Sequence, residues 1–136
     1  VTTTAAPEPP AGEPADPNLA GHRVLVVEDE QLIGLMLADV LEELGSAVLG
    51  PVATVAEAID LVEHQQVTAA LLDLNLRGET VYPVADRLAA SGIPFVFITG
   101  YGQSQLVHRH AGAPILTKPF GPRQLAEMVT RLGWSR

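Results

Sequence analysis

The chain has 136 residues, the size of one domain, and 47% of them are apolar, enough for a buried core. Its formal charge of −8 speaks against a nucleic-acid-binding domain and a polybasic membrane anchor alike. No apolar run approaches the ~20 residues that span a bilayer, so no membrane contact is expected. With no cysteine there is no disulfide framework and no thiolate zinc site. That composition, with no visible secretory signal, leads to an expected cytoplasmic location. The chain starts at Val1 rather than Met, which fits trimming or excision from something longer.

Residues 1–20 hold five prolines, three acids and no base. Such a stretch buries too little apolar surface to offset its ordering entropy and reads as a disordered tail, either a linker or a passive solvated arm. From residue 21 the texture changes. "HRVLVV" (22–27) is a β-branched run that predicts a buried strand. Leu32, Leu35, Met36, Val40 and Leu44 follow at helical spacing, with Gly45 as a stop signal. "AVLGPVA" (47–53) predicts a second strand. Thr54 and Glu57 form a capping-box pattern for a helix to about His64. "TAALLDL" (68–74) is a third strand, and residues 80–91 a helix with Pro83 in its first turn. "PFVFIT" (94–99) is a fourth strand, 103–110 a short fourth helix, and "APILT" (113–117) a fifth strand. A fifth helix over 122–133 carries Leu125, Met128, Val129 and Leu132 on its apolar stripe.

Strict alternation of strand and helix, with near-continuous apolar strands, predicts an α/β fold: a doubly wound parallel sheet with helices on both faces. Five strands and right-handed crossovers favour the flavodoxin-like order 2-1-3-4-5.

In such a sheet every strand's carboxyl end lies on one edge, where ligands bind. The first strand ends in Glu28 and Asp29, the third in Asp73 followed by Asn75, the fourth in Thr99, and the fifth in Lys118, the only lysine in the chain. Three acids, one hydroxyl and one ammonium therefore share an edge. One lysine does not neutralise three carboxylates, and a divalent cation would. Oxygen ligands without His or Cys suggest Mg²⁺. Asp29 and Asp73 are the natural direct ligands, the Asn75 carbonyl a further one, with Glu28 acting through water. A carboxylate beside a cation and an ammonium suits phosphoryl transfer to an aspartate, where positioning and charge neutralisation supply most of the catalysis. Lysine is a compact point charge, whereas arginine's planar fork binds with a different geometry. Taken singly, each residue reads as a cap, a turn or a strand residue. Their joint occurrence on four strand ends carries the inference.

"VLVVEDE", "LLDLNL", "FITG" and "LTKPF", in that order, resemble the receiver domain of bacterial response regulators over about residues 21–136. The resemblance implies the same strand order. It also implies Asp73 as phosphoacceptor, Glu28, Asp29 and the Asn75 carbonyl in a magnesium pocket, and Thr99 and Lys118 on the phosphoryl group. A sensor histidine kinase or phosphotransfer protein is the implied donor. The chain would be a phosphoacceptor regulator of a two-component phosphorelay, catalysing its own phosphorylation and dephosphorylation, rather than an enzyme. Ile115 stands where many receivers have an aromatic switch residue. "PFVFITGYG" (94–102) resembles the subgroup called FATGUY receivers, with Tyr101 two residues after the threonine. Either Tyr101 and the Gly100/Gly102 hinges take over the switch, or Tyr101 covers the loop with its hydroxyl in water. Arg77, in "NLRGE", stands near the site and either biases kinase choice or is solvated.

With Trp134 two residues from the end, the reading is a stand-alone receiver that signals by protein contact. The contact face would be the fourth helix, fifth strand and fifth helix, with His108, Arg109 and His110 on it; a homodimer stays open. His22 and His64 read as surface residues. Three other classes fit less well. A phosphorylation-independent adaptor would not need Asp73, Thr99 and Lys118 together. A cofactor binder would need a phosphate cradle where "EDEQ" stands, and no P-loop pattern is present. An aspartate-based phosphatase would want a second carboxylate where Asn75 stands.

Overall fold

The computed structural model describes residues 19–100 and 106–134. Expectations for residues 1–18, and for Tyr101 and Gly102, lie outside the described residues. The element order is β1 (Arg23–Val27), α1 (Gln31–Glu43), β2 (Ala47–Val52), α2 (Val55–His64), β3 (Ala69–Asp73), β4 (Asn75–Leu76), β5 (Glu79–Thr80), α3 (Tyr82–Ala90), β6 (Phe95–Thr99), β7 (Ile115–Thr117) and α4 (Pro122–Leu132). The main sheet is parallel, in the order β2-β1-β3-β6-β7, which is the expected 2-1-3-4-5.

Successive strand residues point to opposite faces, and the core divides accordingly. Val24, Val26, Leu71 and Ile98 pack against α1 and α4, while Leu25, Leu72 and Phe97 pack against α2 and α3. All five residues of β3 are buried, as the central position of a doubly covered sheet requires. Leu19 joins the first of these clusters with no exposed surface, and its N–H donates to the Leu44 carbonyl at 2.8 Å. The packed unit thus includes residue 19.

The sequence signals set the helix ends. Gly45 (φ +100°) closes α1 in a Schellman motif: its N–H donates to Glu42 and the next, from Ser46, to Leu41. At α2, Thr54 Oγ1 accepts from the Glu57 N–H at 3.1 Å. Glu57 Oε1 reaches back to the Thr54 hydroxyl and the Ala53 N–H. Pro83 lies in the first turn of α3, as expected.

Five expectations are corrected. The buried face of α1 is Gly34, Leu37, Val40 and Leu41, leaving Leu32 82% and Leu35 49% exposed. The cause is Gly34, which lets β2 approach so closely that an added Cβ would stand 3.0 Å from Pro51 Cβ. A two-stranded antiparallel hairpin, β4–β5, interrupts the simple alternation after β3. Of the expected fourth helix, residues 103–105 lie outside the described residues, and 106–110 form one 3-10 turn, His108–His110, instead. The Val107 N–H is taken by the Tyr82 hydroxyl at 3.0 Å, and the His110 N–H by the Val107 carbonyl. His110 is buried rather than exposed, stacked on Tyr82 and edge-on to Phe95 and Phe97, with Nε2 2.7 Å from Asp86. His22 is half-buried and bonds Thr68 Oγ1 at 2.8 Å, whereas His64 is on the surface.

Candidate functional site

Parallel pairing brings the carboxyl ends of β1, β3, β6 and β7 to one edge. β1 pairs with β3 along its length, so Glu28 and Asp29, just beyond Val27, stand beside Asp73. Oxygens of Glu28, Asp29 and Asp73 lie within 4.8 Å of one another. Glu28 and Asp73 are almost fully buried. On the other side, β6 carries β7, and the Lys118 N–H donates to the Thr99 carbonyl at 2.8 Å. This backbone bond holds Lys118 at the strand end, followed by a cis peptide to Pro119.

The Lys118 ammonium sits among three carboxylates. Nζ is 3.0 Å from Glu30 Oε1, 3.3 Å from Asp73 Oδ2 and 3.5 Å from Glu28 Oε2. Arg77, at the tip of the β4–β5 hairpin, adds a second cation, with Nε 3.3 Å from Asp29 Oδ2. Four carboxylates therefore face two cations, a formal excess of two negative charges.

The strain shows in the acids. Glu28 is pushed up to about 8, first by burial and then by the Asp73 carboxyl beside it. Burial also raises Asp73, against the opposing pull of Glu28, Lys118 and the Asn75 N–H. Burial works against the Lys118 ammonium too, but Glu30, Asp73 and Glu28 outweigh it and hold its pKa above the ordinary lysine value.

A divalent cation fits this set. The donors are hard oxygens, as Mg²⁺ requires. Glu28 Oε2 accepts the Glu30 N–H at 3.1 Å, but its Oε1 is buried and has no hydrogen-bond partner. A buried carboxylate oxygen in that position is costly unless a cation meets it.

The expected site residues occupy the expected edge. Glu28, Asp29 and Asp73 cluster together, and Lys118 contacts Asp73 and Glu28. Thr99 ends β6 and is buried, one residue past the Asp73–Ile98 pairing. Asn75 donates its N–H to Asp73 Oδ1 at 3.3 Å, and its side chain caps the hairpin by accepting from the Gly78 N–H. Glu30 was absent from the expected set, although it makes the shortest contact with Lys118. The third acid in "VEDE" was its only sequence signal.

A five-stranded parallel sheet with an acidic cluster and one ammonium at its carboxyl edge is the architecture of a phosphoacceptor regulator. The chain belongs to the response regulator receiver domain family, which matches residues 24–130. Its acidic cluster is of the type found at the phosphoacceptor and metal site in two-component signalling.

The chain is 35% identical over 112 residues to the transcriptional regulatory protein PdtaR of Mycobacterium tuberculosis, a match covering 79% of this chain and 55% of PdtaR. It spans about half the length of the curated relatives it matches. The solution structure of SdrG from Sphingomonas melonis Fr1 is similar at 44% identity and a TM-score of 0.72, covering 85% of this chain and 98% of SdrG. The response regulator PhyR from Brucella abortus is similar at 28% identity and a TM-score of 0.72, covering 84% of this chain and 48% of PhyR. Among the described residues, no helix is long and apolar enough to cross a membrane.

Proposed function

We propose that Asp73 accepts a phosphoryl group from a histidine kinase or phosphotransfer protein, with Mg²⁺ in the acidic pocket. The observation that carries this reading is the buried carboxylate cluster around Asp73, with one ammonium at 3.3 Å and an unpartnered oxygen on Glu28. An Asp73 oxygen attacks phosphorus as the bond from phosphorus to the donor's imidazole nitrogen breaks, and the ring, already protonated on its other nitrogen, takes the bond's electron pair and leaves as neutral imidazole. Mg²⁺, when bound, neutralises charge on the phosphoryl oxygens. Glu28, Asp29 and Asp73 would hold it, with the Asn75 carbonyl as a further ligand.

The remaining work falls to the chain's own groups. Lys118 stands beside Asp73 Oδ2 and offsets the charge of the transferred group. The Thr99 hydroxyl, on the neighbouring strand end, bonds one phosphoryl oxygen. The Asn75 N–H orients the carboxylate through Oδ1.

We assign the chain to the FATGUY type on "PFVFITGYG" alone, with Tyr101 as the switch residue. SdrG also has a structure of a BeF₃-activated conformation at 44% identity, so the same anion is a suitable probe here. Output would run through protein contact at the segment 106–110, β7 and α4, in the cytoplasm, with a homodimer as one mode of assembly.

Intact-mass analysis after incubation with acetyl phosphate and Mg²⁺ tests the assignment. Wild type gains one phosphoryl mass and Asp73→Asn gains none. A gain in both removes Asp73 from its role.

A further inference from the structure

The hairpin after Asp73 has a two-residue loop, Arg77-Gly78, with both residues at positive φ (+53° and +89°). That backbone is the type I′ turn, whose preferred first residue is asparagine. Arginine is disfavoured there, because a Cβ crowds the backbone in the left-handed region. The hairpin is nonetheless well held. Asn75 Oδ1 accepts the Gly78 N–H at 3.0 Å, and Glu79 Oε1 accepts the Val55 N–H at 3.3 Å. A braced turn thus presents a strained arginine directly to Asp29.

The two partners of this contact differ in exposure. The Arg77 side chain is 81% exposed, and that of Asp29 is 10% exposed. The guanidinium stays hydrated, so the pair is weak and exchanges readily. The carboxylate is nearly enclosed and belongs to the cluster with Glu28 and Asp73. The oxygen that Arg77 approaches, Oδ2, is therefore on a carboxylate that a divalent cation also needs.

We infer that Arg77 is a tethered competitor for the cation site, an inference that rests on reading the acidic pocket as a metal site. Its guanidinium holds Asp29 until a divalent cation displaces it, and this sets the Mg²⁺ concentration at which the site fills. Lys118 does not play this part, because its contacts are with Asp73, Glu28 and Glu30 and not with Asp29.

Calorimetric titration with MgCl₂ alone, without any phosphoryl donor, tests this on the full chain. Arg77→Asn keeps a residue suited to positive φ and removes the charge. An exposed pair forms with an equilibrium constant of about one to five, so the variant binds Mg²⁺ roughly two- to sixfold more tightly. Arg77→Lys stays nearer wild type, and Arg123→Asn, a charge change on the exposed face of α4, leaves the affinity unchanged. Uptake by wild type with equal or weaker binding by Arg77→Asn overturns the inference alone. An Arg123→Asn gain equal to that of Arg77→Asn also overturns it, by reducing the effect to net charge. No uptake by wild type overturns the metal reading together with it.

Discussion

Lys118 Nζ lies 3.3 Å from Asp73 Oδ2, across the ends of two strands that are not neighbours in the sheet. β6 stands between them, and the Lys118 N–H is fixed to its last carbonyl. The ammonium therefore reaches over the intervening strand end to meet the carboxylate, and its position depends on the register of β7 on β6.

Removing that charge separates metal binding from phosphoryl transfer. Lys118→Ala keeps Mg²⁺ uptake, since the ligands are carboxylates. It slows acetyl-phosphate labelling by about 10²-fold, the usual loss of one preorganised charge partner. Lys118→Arg rescues little, because a planar fork does not reproduce a point charge. Initial rates by intact mass check both.

Glu28 makes metal uptake depend on pH. Its carboxyl titrates near 8 in the folded chain, against an ordinary value of 4.5. Between those values the folded state keeps a proton that the unfolded state has released, so without metal, stability falls as pH rises through that window. The cation takes the ionised form. Mg²⁺ affinity therefore climbs with pH and levels off above about 8. Calorimetry from roughly pH 6 to 9 reads the slope, and Glu28→Gln flattens it. A flat wild-type profile would contradict the assignment.

Asp86 fastens the segment before β7. Arg109 and His110 both bond it, and these contacts hold its carboxyl below the ordinary range. A depressed acid stabilises the fold above its unfolded pKa, and that stability disappears as pH falls through the folded value. Because the Asp86 side chain is 44% exposed and solvent screens the pair, Asp86→Asn costs about 0.5–1 kcal/mol at neutral pH. The gap to wild type closes in acid, as urea melts at two pH values would show.

Among the described residues, Gly50 is the least replaceable glycine. Its φ is +102°, and an added Cβ would stand 2.7 Å from the Val26 carbonyl oxygen and 2.8 Å from the Val52 nitrogen. Backbone atoms in a sheet do not move aside. Gly50→Ala costs about 2–4 kcal/mol, from the disfavoured dihedral and the overpacking together. Equilibrium denaturation measures it.

The orientation of α1 is tested by two leucines. Leu37 is fully buried and Leu32 is 82% exposed. Leu37→Ala costs about 2–5 kcal/mol, while Leu32→Ala stays within about 0.5 kcal/mol. Comparable losses would mean that the helix is turned the other way.

Much of this protein was legible in its residues. Apolar runs of the right length, separated by helical periodicity, marked the five parallel strands; the handedness of crossovers narrowed their order, and the resemblance to receiver domains selected it. Strand ends then named Glu28, Asp29, Asp73, Thr99 and Lys118, because a parallel sheet collects its carboxyl termini on one edge whatever the side-chain details. The capping pair Thr54–Glu57 and the stop at Gly45 were likewise local chemistry.

Tertiary structure decided what periodicity leaves open. On α1, leucines surround the helix, and the inward face is the one that packs Leu37, Val40 and Leu41 on the sheet and brings Gly34 against Pro51. Around 106–110, three histidine and arginine residues read as a solvated helix. Long-range partners on α3 and β6, Tyr82, Asp86 and Phe97, instead draw His110 inside and leave a single tight turn. Glu30 and Arg77 became part of the site for the same reason. Their charges are visible in the sequence, but the distances of 3.0 Å to Lys118 and 3.3 Å to Asp29 arise only when separate loops converge on one rim.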